Sequence, residues 1–197
     1  MRILRVYFAV TMSLVLWLSR AFWLSAGSMP NDPAVVQSAW LTVIIWFLGG
    51  VAFLRGDRPI IQLVWSSGAA LQLLHVAIAF HAVHGWSHDA AFEHTRKIGG
   101  FGEGVYVNYA FTLIWCVDAI CLCANFDKYC RRPIWLNWAI HGFMAFLVFN
   151  AAVIYGSWVA RGLFAIGVTW IWLAIYKSPP PTSTSDPTSP FRRRASI

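Results

Sequence analysis

Four of this chain's six histidines fall within fourteen residues, where an apolar segment gives way to a polar one. Imidazole is the commonest protein ligand for transition metals, and it exchanges protons near neutral pH. The spacing therefore predicts a site for metal binding or for proton transfer, without choosing between the two. This histidine group consists of His81, His84, His88 and His94.

One way to build such a site is a continuous helix. Each residue turns an α-helix by about 100°, so His81, His84 and His88 would share about 60° of one face. His84 and His88 are four residues apart. That spacing places their rings one helical turn apart, which suits chelation of a single metal ion.

The other way is a break in the helix at Gly85. A glycine of this kind ends helices, and Ser87 is a suitable N-cap for a second, short helix from His88 to Lys97. That helix would lie at the membrane interface, folded back over the mouth of the bundle. Within it, Glu93 would form an i,i+4 pair with Lys97. The sequence leaves both geometries open.

Acidic side chains near the histidine group add oxygen ligands to its nitrogens, and such a mixed set suits zinc, copper or iron. We expect Asp89 and Asn108 to hydrogen-bond to the ligands and orient them. The predicted ligands of this transition-metal site are His81, His84, His88, His94 and Glu93.

Three further ionisable residues, His75, Asp118 and His141, lie deeper within apolar segments. Asp118 and His141 each sit about 10 Å from the same end of their helices, so we expect them to pair. An acid inside a bilayer is costly and marks a functional site by default. The pair is either proton-linked or a structural hydrogen bond. His75 and His141 differ in depth along the bundle by about 12 Å. The two axial ligands of a haem lie near one level, so haem binding by this pair is ranked below a metal site.

The composition places these residues in a membrane protein. Of the 197 residues, 58% are hydrophobic and 12% are charged, against about 25% charged in soluble domains. Uncharged runs of about 20 residues are long enough to cross a hydrocarbon core of about 30 Å. The net charge of +7 is spread over short loops and chain ends rather than a basic stripe, so we expect no nucleic-acid partner.

Hydropathy predicts an all-α, polytopic transmembrane helix bundle of about six spans, comprising residues 1–177. The second to sixth spans match apolar runs separated by prolines, glycines and charged loops, and the histidine-rich loop covers residues 85–104. The predicted spans are Ile3 to Ala26, Val35 to Leu54, Ile60 to His84, Val105 to Asn125, Ile134 to Gly156, and a sixth that ends at Tyr176.

Lysine and arginine predict the orientation of the bundle. Eleven of these fifteen residues fall on one side of the six-span arrangement, and cytoplasmic loops carry the excess of such charges. Both termini are therefore predicted to be cytoplasmic, with the histidine group facing outward. Residues 178–197 are rich in proline, serine and threonine, and we expect them to form a disordered cytoplasmic tail.

Part of the chain resembles a group of uncharacterised small bacterial membrane proteins. The residues that carry the resemblance are the stretch Trp86-Ser87-His88-Asp89, the pair His94-Thr95, and the aromatic and polar positions Tyr106, Asn108, Tyr109, Trp115 and Asp118. It implies a multi-pass protein of the bacterial inner membrane and no particular activity. The spacing His84-x-x-x-His88 also resembles a histidine box of membrane di-iron hydroxylases and desaturases, although this sequence has no second box.

Three functions follow from these residues. The first is a metal-dependent enzyme or a metal-handling protein built on the histidine group. The second is a redox or proton-conducting subunit that binds haem or quinone. The third is a structural subunit whose aromatic helices pack against other membrane proteins. The lipid bilayer is the partner common to all three.

Overall fold

The computed structural model describes residues 32–176. The predicted first span and the predicted tail lie outside the described residues. Within them, every regular element is helical. The helices are α1 (Pro33–Arg55), α2 (Arg58–Ala79, continued by the π-helical turn Phe80–His84), α3 (His88–Gly99), α4 (Gly104–Ala124), α5 (Phe126–Cys130), α6 (Ile134–Phe149, continued by the π-helical turn Asn150–Ile154) and α7 (Trp158–Tyr176).

The five long helices of the described chain, α1, α2, α4, α6 and α7, are each long and apolar enough to cross a membrane. They confirm the predicted all-α polytopic bundle, and their ends lie within two residues of the second to sixth predicted spans. Between 39% (α2) and 11% (α7) of the residues in these apolar stretches are buried within the protein. The remaining apolar surface is what a bilayer would cover.

Local capping explains where the first two helices begin and where the first one ends. The Asp32 side chain accepts a hydrogen bond from the Ala34 amide at 2.8 Å, and Asp57 accepts one from the Ile60 amide at 3.3 Å. In both helices a proline follows within the first turn, where its missing amide proton costs nothing. Between them, Gly56 ends α1 with a left-handed φ of 74°, a conformation that glycine adopts without strain.

The bundle core is built from α1, α2, α4, α5 and α6, and two tryptophans are buried in it. Trp65 and Trp115 are 2% and 0% exposed, and their ring centroids lie 5.3 Å apart. A Cβ atom at Gly68 would lie 2.3 Å from the Trp115 ring. Small residues of this kind let membrane helices approach closely, so glycine at this position makes room for the indole.

Helix α3 confirms the second of the two geometries predicted for the histidine group and shows that the continuous helix was wrong. Gly85 ends the π-helical turn with a φ of 54°, and the Ser87 side chain caps the new helix by accepting from the Ala90 amide. Trp86 also has a left-handed φ of 59°, which is uncommon for a residue other than glycine. The chain therefore turns sharply, and α3 packs across the ends of α2 and α4.

The bundle thus has two distinct ends. We call the end covered by α3 the cap end, and the end that holds α5 and the turn between α1 and α2 the basic end. Exposed aromatic side chains occur at both, including Trp158 (84% exposed) at the cap end and Trp138 (74%) at the basic end. Tryptophan and tyrosine concentrate at the two membrane interfaces, so these positions mark where the bilayer surfaces would lie.

Candidate functional site

A cavity of about 280 Å³ opens beneath α3 at the cap end. Its walls come from α1, α2, α3, α4 and α6, and they are mostly apolar. None of the lining residues is an aspartate, glutamate, lysine or arginine. The polar side chains that line it are uncharged or are histidines, and they are Thr42, Gln72, His75, His84, Thr95, Asn108 and Tyr109.

His84 is the lining residue whose hydrogen bonding is incomplete. Its Nδ1 atom is buried and has no hydrogen-bond partner within residues 32–176. Its ring centroid lies 5.2 Å from that of His94 and 5.4 Å from that of Phe80. Leaving a buried polar atom without a partner costs about 1–3 kcal/mol, and in native structures such an atom calls for a specific explanation.

The backbone around the cavity is also irregular. Both π-helical turns of the described chain, Phe80–His84 and Asn150–Ile154, lie at the cap end. They contribute Phe80, His84 and Ala151 to the cavity wall. Short π-helical turns inside α-helices occur frequently at functional sites, so the backbone marks the same region as the unpartnered imidazole.

His75 lies deeper in the wall of the cavity, and its ring contacts the Ser38 hydroxyl. The Ser38 hydroxyl donates to the Val35 carbonyl oxygen at 2.9 Å, and the same Oγ lies 2.9 Å from His75 Nδ1. These two contacts of the Ser38 hydroxyl hold the His75 imidazole in one orientation within the cavity wall.

A second polar side chain is held in a comparable way. Gln72 donates through its Nε2 to Thr112 Oγ1 at 3.0 Å, and Thr112 in turn donates to the Asn108 carbonyl oxygen. This chain of hydrogen bonds orients the Gln72 amide, whose Oε1 is an acceptor. The deep part of the cavity is therefore lined by side chains in fixed orientations.

The structure does not bring the five predicted metal ligands together. His88 lies between two tyrosine hydroxyls, with Nδ1 3.1 Å from Tyr109 and Nε2 3.2 Å from Tyr106. His84 and His94 face each other with ring centroids 5.2 Å apart, and His81 is exposed on the π-helical turn. In the described part of the chain, no group of three or more histidine, cysteine, aspartate or glutamate side chains is arranged to hold a metal ion.

Glu93, the predicted carboxylate ligand, pairs instead with Arg96 on the exposed surface of α3, with a shortest distance of 2.7 Å. The direct ion pair is therefore with Arg96 rather than with the expected Lys97, whose charge nevertheless also lowers the pKa of Glu93. Hydrogen bonds from Arg96 lower the pKa of Glu93, and the same contact raises the pKa of Arg96. Asp89 is exposed in the first turn of α3, whereas Asn108 lines the cavity.

The second predicted site, Asp118 with His141, lies in a separate cluster toward the basic end. Asp118 is 3% exposed and accepts hydrogen bonds from Trp65 Nε1 at 2.8 Å and from the Tyr129 hydroxyl at 2.9 Å. It also forms an ion pair with Arg132. Arg132 Nη2 lies 3.4 Å from His141 Nε2. We call these five residues the Asp118 cluster.

Arg132 is thus the residue that sequence reasoning missed. It was counted among the cytoplasmic charges that orient the bundle, but its guanidinium joins Asp118 to His141 and lies 3.8 Å from the Tyr129 ring centroid. Burial, together with the Asp118 carboxylate, raises the pKa of Tyr129, so the phenol stays protonated and donates. The role of Arg132 could have been predicted from Asp118, because an acid inside a membrane usually pairs with a cation.

These features define a multi-pass helical membrane protein with an uncharged cavity at one end and a buried ion pair toward the other. Comparisons with known protein families, with curated proteins and with solved structures found no match. The function is therefore argued from the residues of this chain.

Proposed function

We propose that this protein binds a small, uncharged, amphipathic molecule in the cap-end cavity. The observation that carries the proposal is the unpartnered Nδ1 of His84 in the wall of an open volume of about 280 Å³. A ligand that forms a hydrogen bond with this nitrogen would remove the cost of leaving it unpaired. The volume lies just below the range of about 300–1,000 Å³ for small-molecule sites, which suits a small ligand.

The cavity lining favours a ligand without charge. A charged group inside a membrane is costly unless an opposite charge pairs with it, and the lining residues include no carboxylate, lysine or arginine. Apolar side chains such as Val43, Val76 and Leu147 suit a hydrocarbon body. The neutral polar groups suit hydroxyl or carbonyl oxygens. A quinone or quinol headgroup and a hydroxylated lipid both belong to this class.

A photoreactive decyl alcohol that carries a diazirine tests the proposal directly. We expect the purified protein to be labelled on cavity-lining segments of α2 and α4, as mapped by peptide mass spectrometry. Substitution A79F fills the cavity from α2 and should abolish this labelling. Substitution A70F is the matched control, because Ala70 is exposed on the same helix and does not line the cavity.

Labelling confined to the lipid-facing surface of the wild-type protein would contradict the proposal. So would equal labelling of the cavity segments in the A79F and A70F variants. Thermal unfolding of each variant in detergent checks that the bundle remains folded. If A79F does not fold, A39F fills the same cavity from α1.

A second candidate function is binding of a zinc or copper ion by His84 and His94. The facing rings, 5.2 Å apart between centroids, favour it. Two imidazoles leave coordination positions for water or for a bound ligand, as in metal sites that do chemistry. The test is titration of the purified protein with Zn²⁺ and with Cu²⁺ by calorimetry.

The metal proposal predicts one binding event that is lost in the H84A/H94A double variant. H88A is the control, and it should retain the event because the His88 nitrogens contact Tyr106 and Tyr109. Equal binding by the wild-type protein and the double variant would contradict this second function. That result would leave the cavity proposal in place.

A further inference from the structure

Four exposed cations lie at the basic end of the bundle, two on each of two neighbouring loops. Arg55 and Arg58 flank the turn between α1 and α2, and Lys128 and Arg131 lie in or just after α5. The Arg58 guanidinium carbon lies 4.8 Å from the centroid of the Phe126 ring, which begins α5. This cation–π contact joins the two loops into one surface, which we call the cation group.

None of these four cations has a carboxylate partner in the described part of the chain. The ion pairs within residues 32–176 are Arg96 with Glu93, at the cap end, and Arg132 with Asp118. Within residues 32–176, the cation group therefore comprises the lysine and arginine side chains at the basic end that remain without a carboxylate partner once Arg132 has paired with Asp118. Sequence counting alone does not separate these four from Arg132.

Two acids lie in the same loops and leave the surface positive. The Asp57 carboxylate caps α2 through the Ile60 amide. Asp127 lies in the first turn of α5, where a carboxylate interacts favourably with the helix dipole. With four cations against two acids, the surface keeps a formal charge of +2.

The cation group lies at the depth where lipid headgroups begin. Its residues lie within four positions of the ends of membrane-crossing helices, and the first five residues of α6 at the same end include the exposed Trp135 (66%) and Trp138 (74%). Exposed tryptophans of this kind sit at the headgroup level. We infer that the cation group binds the phosphate groups of anionic phospholipids. Anionic leaflets attract such juxtamembrane basic residues, whereas dilute soluble phosphate is not concentrated there.

Native mass spectrometry of the full chain, released from nanodiscs that contain phosphatidylglycerol and phosphatidylcholine, tests this inference. We expect the retained lipid to be enriched in phosphatidylglycerol. The R58Q/K128Q double variant should lose most of the enrichment, at about fivefold in affinity for each charge removed. K97Q is the matched control, because Lys97 is an exposed cation at the opposite end, and it should keep the enrichment.

Two outcomes would overturn the inference. One is equal enrichment in the wild-type protein and the double variant. The other combines two results: the wild-type protein binds inorganic phosphate in pure phosphatidylcholine nanodiscs, and it shows no preference for phosphatidylglycerol in mixed nanodiscs. Together they would show that the surface binds a soluble anion instead of a lipid. If the double variant does not fold, salt dependence is the second measurement. Enrichment must then fall as ionic strength rises, because salt screens exposed charges.

Discussion

The two polar regions inside this bundle differ in how completely their hydrogen bonds are satisfied. In the Asp118 cluster, the carboxylate accepts from Trp65, Tyr129 and Arg132. In the cap-end cavity, His84 has a buried nitrogen without a partner in the described chain. The hydrogen bonds of the Asp118 carboxylate are thus satisfied, whereas the uncharged cavity has an unmet hydrogen bond in its wall.

From this difference we propose that, in this bundle, an unmet hydrogen bond beside open volume is a better guide to a binding site than buried charge. The Asp118 cluster joins α2, α4, α5, α6 and the loop before α6, since Trp65, Asp118, Tyr129, His141 and Arg132 come from these five segments. A saturated ion pair of this kind can specify how helices assemble. We therefore interpret the Asp118 cluster as structural and the cavity as functional.

The largest expected effect comes from breaking the ion pair. D118N keeps the shape of the side chain but leaves the Arg132 charge unpaired in a mostly buried position. Removing one partner of a buried pair costs about 3–5 kcal/mol. Thermal unfolding in detergent should therefore show a strongly destabilised protein. A D118N variant as stable as the wild-type protein would show that the cluster does not hold the bundle together.

The next effect separates the two buried tryptophans. W65F removes the indole donor to Asp118, whereas W115F removes an indole nitrogen that has no partner in the described chain. The two substitutions change the side chain identically at nearly fully buried positions. Since hydrogen bonds to charged groups contribute about 1.5–3 kcal/mol, W65F should be the more destabilising by about that amount. Equal losses of stability would contradict the assignment.

A smaller effect on stability, but a large one on binding, is expected at His84. H84L removes a buried nitrogen that forms no hydrogen bond in the described chain, so the variant should be at least as stable as the wild-type protein, because the cost of about 1–3 kcal/mol for that unpaired nitrogen is removed. Labelling of the cavity by the photoreactive alcohol should fall sharply. Loss of stability together with unchanged labelling would reverse the roles assigned to the two regions.

The smallest effect concerns the pH dependence of α3. Arg96 lowers the pKa of Glu93 in the folded protein below its ordinary value of 4.5. The Glu93–Arg96 ion pair therefore stabilises the folded protein at pH values above 4.5. This contribution is lost as the pH falls through the lower pKa of Glu93 in the folded state. Hydrogen exchange of α3 amides, compared between the wild-type protein and E93Q, should differ near neutral pH and converge in acid. A difference that persists in acid would exclude this ion pair as the cause.

The helices could be predicted from the sequence because their signals are local. Apolar length predicted the five spans of the described chain, and Gly85 and Ser87 indicated helix ends that the structure confirms. These residues act on their own backbone neighbours, through caps and left-handed turns. The fold-back of α3 was open to prediction for the same reason.

The contacts between residues far apart in the sequence could not be predicted from local signals. His88 meets Tyr106 and Tyr109, which lie 18 and 21 positions further along the chain, and only the direction of α3 decides that His84 faces His94 instead. The cavity is a product of how five helices pack. Arg132 pairs with Asp118 because the chain turns back through α5, a return that hydropathy does not register.

The central claim is that the cavity accepts an uncharged amphiphile, and competition against the photoreactive alcohol tests it most directly. Three competitors with the same decyl chain differ only in their polar group: decanol, decyl sulfate and decyltrimethylammonium. We expect decanol alone to protect from labelling the same cavity segments that lose their labelling in the A79F variant. Equal protection by either charged competitor would contradict it, because no lining residue carries the opposite fixed charge.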